Sequence, residues 1–354
     1  MRKITFWMLS AAAAISAQSV SVVGLGAMPD GSNPSGTTAA FRAAFSMAPN
    51  GLIRVPAGNY AIDNGGGPFM VNNFSGQLEF EGGARLVFQN SQNGAIWFTG
   101  GSNARIRGLR IVYAIAPAFR NSPQEGIKFS GTTDTFLMDT TVENSPAAGI
   151  LFYDSIRPHV VNALVHDTMA DGLHFANCQD PEVSGLTTYN TGDDGLTFVN
   201  YSQYTDRPGG TATNLVIRQT KARGIAVVGQ SDVVISNFVV DGTASSGVLC
   251  GQDQSYNTRV SDRATFANGV IRHAGTVSPA TGNNYGIEFN APVSCSFSNI
   301  EVESSAGRGV GGMAPQGRVR IQGVRVKGNA QNEAFSFFQT GAPRSSSSAY
   351  TPPA

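Results

Sequence analysis

Short runs of alternating apolar and polar residues recur along this chain at a fixed interval. A glycine, then Ile, Leu or Val, then any residue, then an apolar one reads Gly126-Ile127-Lys128-Phe129, Gly149-Ile150-Leu151-Phe152, Gly172-Leu173-His174-Phe175 and Gly195-Leu196-Thr197-Phe198. It continues at Gly224-Ile225-Ala226-Val227, Gly247-Val248-Leu249-Cys250 and Gly286-Ile287-Glu288-Phe289, and more weakly at Gly309-Val310. Successive glycines lie 23, 23, 23, 29, 23, 39 and 23 residues apart. Alternation of period two marks half-buried strands. A second strand follows ten or more residues after the glycine, as at 160–165, 215–218 and 233–240. Such a unit has no room for a crossover helix. It predicts an all-β chain, a single-stranded parallel β-helix in which each coil stacks on the next about 4.8 Å away. Ile127, Ile150, Leu173, Leu196 and Ile225 then form one interior stack, and Phe129, Phe152, Phe175 and Phe198 another. The longer intervals before Gly224 and Gly286 become outer loops.

A solenoid needs its ends covered. Phe41, Ala44, Phe45 and Ala48 recur at helical spacing, so a short N-terminal capping helix is expected over 38–48 with Thr37 or Thr38 as its N-cap. Residues 341–354 are Ser- and Pro-rich and read as a disordered tail. Arg2 and Lys3, an apolar stretch over 4–17 and the small-residue exit Ala17-Gln18-Ser19 have the layout of a secretory signal. One domain is therefore expected from 20 to 340, in a secreted or periplasmic protein. No later run of 18 apolar residues predicts a membrane span. With 24 basic and 24 acidic residues among 354 the formal charge is zero, so no basic stripe argues for nucleic acid. Cys178, Cys250 and Cys295 are odd in number and far apart, which points to buried free thiols rather than a disulfide or zinc framework.

Stacking turns sequence spacing into surface columns. The residue before each repeat glycine gives Glu125, Ala148, Asp171, Asp194, Arg223, Ser246, Tyr285 and Arg308. The outward position two after the glycine gives Lys128, Leu151, His174, Thr197 and Ala226. Asp171, Asp193, Asp194, His174 and Arg223 should therefore crowd one patch of wall. Carboxylates one strand spacing apart repel when both are ionised, so one pKa should rise. A protonated acid beside an ionised base suits glycoside cleavage. The competing structural reading is turn chemistry, because Asp before Gly tolerates the left-handed region and bonds its own backbone. Three carboxylates and an arginine on three consecutive coils favour function over turns.

Other signals are weaker. Gly24-Leu25-Gly26 lacks the rest of a dinucleotide fingerprint, and His159, His166 and His273 read as turn or surface residues. Lys221 reads as a solvated lysine, and Asn200-Tyr201-Ser202 as a coincidental glycosylation sequon.

Two groups of residues resemble the pectin-lyase-like superfamily of right-handed parallel β-helices. Asp30-Gly31, 38–44 and Arg54-Val55-Pro56-Ala57-Gly58-Asn59-Tyr60 look like the opening of pectate-lyase-type domains. Asp171-Gly172 and Thr191-Gly192-Asp193-Asp194 are similar to the site motifs of polygalacturonases and rhamnogalacturonases. The resemblance implies an inverting glycoside hydrolase in which Asp171, Asp193 and Asp194 supply the general acid and activate water. Arg223, His174, Glu125 and Lys128 would bind substrate, an extracellular polysaccharide, in a monomer with no metal or other cofactor. The chain departs from that pattern: Met169-Ala170 replace Asn-Thr, Ala222-Arg223-Gly224 replaces Gly-His-Gly, and Ser246-Gly247-Val248 replaces Arg-Ile-Lys. Two alternatives follow. One is a polysaccharide lyase or uronate C5-epimerase with Ca²⁺ on the acidic column and Arg223 as base. The other is a non-catalytic surface or adhesive β-helix.

Overall fold

A computed structural model describes residues 19–276, 284–313 and 315–329, with a last strand at Phe335–Phe338. The signal-like segment up to residue 18 and the tail lie outside the described residues. The chain winds through about 11 turns of parallel β-solenoid. One face is a ladder of four-residue strands, among them Ile127–Ser130, Ile150–Tyr153, Leu173–Ala176, Leu196–Val199, Ile225–Val228, Val248–Gly251 and Ile287–Asn290. The remaining wall is a parallel sheet that includes strands of eight to ten residues, such as His159–Thr168 and Glu182–Thr191.

Register follows the repeat. Ile127 pairs with Ile150, Ile150 with Leu173, Leu173 with Leu196 and Leu196 with Ile225. The phenylalanine stack is face to face, with ring centroids 4.5 Å apart at Phe129–Phe152 and 5.2 Å at Phe175–Phe198. The long wall strands turn corners at residues with positive φ, chiefly Asn162, Asn214, Asn237, Asn268 and Asn299. Asparagine suits these corners because its short side chain tolerates the left-handed region and bonds along the column, as Asn299 does to Asn268 at 3.3 Å.

The repeat glycines serve a different need. None of those at 126, 149, 172, 195, 224, 247, 286 and 309 has positive φ; what they supply is space. A methyl group on Gly195 would stand 2.3 Å from Ile217 Cγ2 and 2.8 Å from the Gly224 carbonyl oxygen. One on Gly224 would stand 2.3 Å from Val240 and 2.6 Å from the Gly247 oxygen. The coil therefore passes its neighbour at the one place where no side chain fits.

The capping helix spans Pro34–Met47, longer at its start than the sequence reading. Its N-cap is Asn33, not Thr37 or Thr38: Asn33 Oδ1 accepts the Gly36 N–H at 3.1 Å, and Pro34 fills the first helical position. Thr37 and Thr38 are instead buried within the helix, Thr38 accepting the Asp63 N–H at 2.9 Å. Phe41 and Phe45 cover the first coils against Tyr60, Phe69 and Phe74. All three cysteines are buried and free. No helix among the described residues is long and apolar enough to cross a membrane.

Gly195→Ala should lose about 1–3 kcal/mol of stability through overpacking. Denaturant unfolding beside the wild type measures it; an unchanged midpoint would contradict the steric role.

Candidate active site

The turn before each repeat glycine builds the site. A buried threonine closes the preceding strand, and its hydroxyl donates to the carbonyl two residues on: Thr168 to Ala170 at 2.7 Å, Thr191 to Asp193 at 3.0 Å, Thr220 to Ala222 at 3.2 Å. The glycine N–H then donates across coils. Gly149 bonds the Asp171 carbonyl at 2.9 Å, Gly172 that of Asp194 at 2.9 Å and Gly195 that of Arg223 at 3.0 Å. Asp171, Asp194 and Arg223 are thereby vertical neighbours, as the repeat implied across intervals of 23 and 29 residues. Neither aspartate has positive φ, so left-handed turn chemistry does not account for them.

Each aspartate spends one oxygen on the fold. Asp171 Oδ1 accepts the Asp194 N–H at 3.1 Å, and Asp194 Oδ1 accepts the Arg223 N–H at 2.7 Å. Asp171 Oδ2 meets His174 Nδ1 at 2.7 Å. One carboxylate oxygen from each of Asp171, Asp193 and Asp194 lies within 4.8 Å of the other two. Asp171 and Asp194 are buried; Asp193 is partly exposed and ion-paired to Arg120 Nη1 at 2.7 Å. Arg223 reaches Asp194 at 3.6 Å and Asp253 at 3.7 Å, both longer than a hydrogen bond.

Burial and close packing separate the three acids electrostatically. Burial pushes Asp194 well above the ordinary carboxylate value, and Asp193 and Asp171 add to this against the pull of Arg223. Burial also raises Asp193, with Asp171 adding, against Arg223 and Arg120. For Asp171 burial acts upward too, but His174, Arg120 and the Asp194 N–H outweigh it and hold the carboxyl below its ordinary value. The patch thus sets two carboxyls raised by burial, Asp193 and Asp194, beside Asp171, which is held below its ordinary value. Although burial lowers it, Arg223 is held more firmly protonated than a free arginine by Asp194, Asp193, Asp253 and Glu288. This surrounding of carboxylates favours the charged guanidinium over the neutral form that a base would need.

Glu125 and Lys128 stand further down the same wall. Glu125 is buried and its carboxyl raised by burial, against the pull of Lys128 3.9 Å away. The Lys128 ammonium lies 4.6 Å over the Trp97 ring and 5.9 Å from that of Tyr153.

Sequence reasoning missed four residues of this site. Glu288 extends the outward column through Thr197, Ala226 and Leu249, and accepts a short hydrogen bond from Ser246. Following that column past Ala226 would have found it. Asp253 and Tyr256 come from the insertion that lengthens the interval before Gly286; burial, Asp193 and Asp253 raise the Tyr256 hydroxyl. Arg120 comes from the irregular stretch between Arg110–Tyr113 and Ile127–Ser130, where no repeat predicts its position. That stretch also exposes Ile115 and Phe119. Lys221 is exposed, and Asn200 of the sequon is buried, its amide donating to Asp206 at 2.7 Å. His159, His166 and His273 lie outside the site and pair with Glu182, Asp167 and Asp241.

Comparison with known proteins agrees on architecture. A family model described as a right handed beta helix region matches residues 57–207. No curated protein matches the sequence. Among solved structures, the mannuronan C-5 epimerase A-module of Azotobacter vinelandii superposes with a TM-score of 0.67 at 13% identity, over 92% of this chain and 100% of that one. The catalytic unit of a GH87 α-1,3-glucanase from Streptomyces thermodiastaticus gives 0.63 at 19%, over 95% and 70%. The surface adhesin PfbA of Streptococcus pneumoniae gives 0.58 at 11%, over 92% and 93%. The chain folds as a right-handed parallel β-helix.

Asp194→Asn should lower turnover by roughly 10²–10⁴-fold, the ordinary contribution of a general acid. It should not lower the melting temperature at neutral pH. A folded-state pKa raised above the unfolded one gives stability that is lost as pH rises through it. The neutral amide removes that loss, so the variant's advantage should grow with pH. Melting curves across pH beside initial rates measure both effects.

Proposed function

We propose that this protein is a secreted glycoside hydrolase of an extracellular polysaccharide. The observation that carries the reading is the set of three crowded aspartates, one carboxyl lowered and two raised, on a wall flanked by aromatic rings. The Asp193–Asp194 dyad donates a proton to the glycosidic oxygen as the C–O bond breaks. The Asp171–His174 pair takes a proton from the water that attacks the anomeric carbon. Arg223 and Arg120 hold the acids and stabilise charge that develops beside them. The likeness to a glucanase and an epimerase in overall shape supports a carbohydrate-active scaffold.

The separation of the acids bears on the stereochemistry. Oxygens within 4.8 Å fall short of the roughly 6.5–9.5 Å of most inverting pairs and approach the roughly 5 Å of retaining ones. Inversion stays in the proposal through the resemblance of Thr191-Gly192-Asp193-Asp194 to the polygalacturonase motif. NMR of the first product decides: the opposite anomer supports direct attack by water, and retention would make an aspartate the nucleophile.

No metal is part of the proposal. Ca²⁺ takes six to eight oxygen ligands, whereas His174 and the Asp194 N–H already engage Asp171, Arg120 engages Asp193, and the Arg223 N–H and guanidinium engage Asp194. Purified protein should release reducing ends from a polysaccharide panel, with no absorbance from a new C=C bond and no loss in EDTA. Ultraviolet absorbance with EDTA sensitivity would indicate the elimination chemistry. Silence in every assay, with Asp171→Ala and Asp193→Ala also without effect, would leave the adhesive reading.

Removal of the Arg120 cation favours the neutral form of its partner, so Arg120→Ala should move the alkaline limb of kcat/KM to higher pH. A pH–rate profile of the two proteins tests it.

A further inference from the structure

Two corners of the solenoid are longer than their neighbours. Residues 200–210 and 252–263 stand where adjacent coils turn through 177–181 and 229–233. The two insertions flank the short corner at 229–233 and meet over it. Tyr201 and Thr258 form an antiparallel bridge, the Arg259 N–H donates to the Asn200 carbonyl at 2.8 Å, and the Ser202 N–H to that of Asn257 at 2.9 Å. Ser202 Oγ donates to Asn257 Oδ1 at 2.7 Å, and the Arg259 guanidinium to the Tyr204 carbonyl at 2.7 Å. A methyl on Gly229 beneath them would stand 2.4 Å from the Asn200 oxygen and 2.9 Å from the Arg259 nitrogen.

The second insertion crosses the wall. It leaves the coil after Gly251, at the opposite end of the four-residue strands from the acids. Its turn Gln254–Tyr256 nevertheless reaches them: Asp253 meets Arg223 at 3.7 Å, and Asp193 bears on the Tyr256 hydroxyl. Ala226, Val228 and Leu249 alternate with interior residues and so face outward, yet they are buried. Chain outside the coil therefore covers them. Asp194 is only 4% exposed, with Arg223 beside it at 3.6 Å. It can meet a polymer only if that cover moves.

The cover is held by bonds that water can replace. Ser202, Gln203 and Asn257 are exposed, and their mutual hydrogen bonds cost little to exchange for water. The Asp253–Arg223 pair is longer than a hydrogen bond. Gly209 and Gly251, with φ of 91° and 156°, stand at the roots of the two insertions.

We propose that residues 252–260 are a lid, closed here over Arg223 and Asp194 and latched to residues 200–206, and that substrate reaches the acids only when the latch opens. The proposal rests on the reading of the acids as a reaction centre but not on which bond is cut.

A Ser202→Cys/Asn257→Cys double variant puts two thiols at the latch, where a disulfide locks it. Carbodiimide coupling of an amine to Asp194, located by mass spectrometry, reports opening without any substrate. Oxidation of the double variant should slow this coupling at least about 10-fold, and a reductant should restore it. The wild type, whose three cysteines are buried, should not respond to the reductant. Asn257→Ala, which needs no cross-link, should speed the coupling about 10-fold. Equal rates in the oxidised and reduced variant, or in the wild type and Asn257→Ala, overturn the lid. The two readings fail separately. A locked variant that releases reducing ends at the wild-type rate would remove the lid and keep the hydrolase. Redox-controlled coupling with silence towards every polysaccharide would do the reverse.

Discussion

The contact on which this molecule depends is the passage of each repeat glycine over the carbonyl of the next. The Gly172 and Gly195 N–H groups donate to the carbonyl oxygens of Asp194 and Arg223, and a methyl at either glycine would strike the coil above. The same bonds that close the solenoid therefore set the vertical order Asp171, Asp194, Arg223. Coil spacing is a backbone quantity, fixed at the interstrand distance. Side chains on this column have no freedom to separate along the axis. The architecture presses like charges together and must then neutralise them.

Neutralisation takes three forms here, and together they make the patch chemically uneven. Asp171 receives a histidine and a backbone N–H, and ionises readily. Asp194 receives a backbone N–H and a more distant guanidinium in a deeper place, and burial raises its carboxyl. Asp193 borrows Arg120 from 73 residues earlier in the chain. Unlike protonation states at close range are what acid–base work requires.

Much of this was legible in the sequence because a solenoid maps sequence onto space almost linearly. The interval of 23 placed Ile127, Ile150 and Leu173 in one stack and Asp171 above Asp194 without any knowledge of loops. The helix that covers the first coils was visible from Phe41 and Phe45, but its start was misplaced. Asn33 lies outside the apolar periodicity and caps from the left-handed region, which spacing does not reveal. Arg120, Asp253 and Tyr256 escaped for a related reason: they sit where the repeat is interrupted, and a loop's path depends on what it packs against rather than on its length.

The sequence by itself determined the coil, its register and the column of acids, because hydrogen bonding between identical coils allows each residue one vertical neighbour. Only the tertiary structure decided which carboxyls burial raises, which cations and backbone N–H groups stand beside each, and which loops reach the column. Those properties come from burial and from charges contributed by loops of unrelated coils, and solvent exclusion and long-range Coulomb terms leave no trace in local spacing.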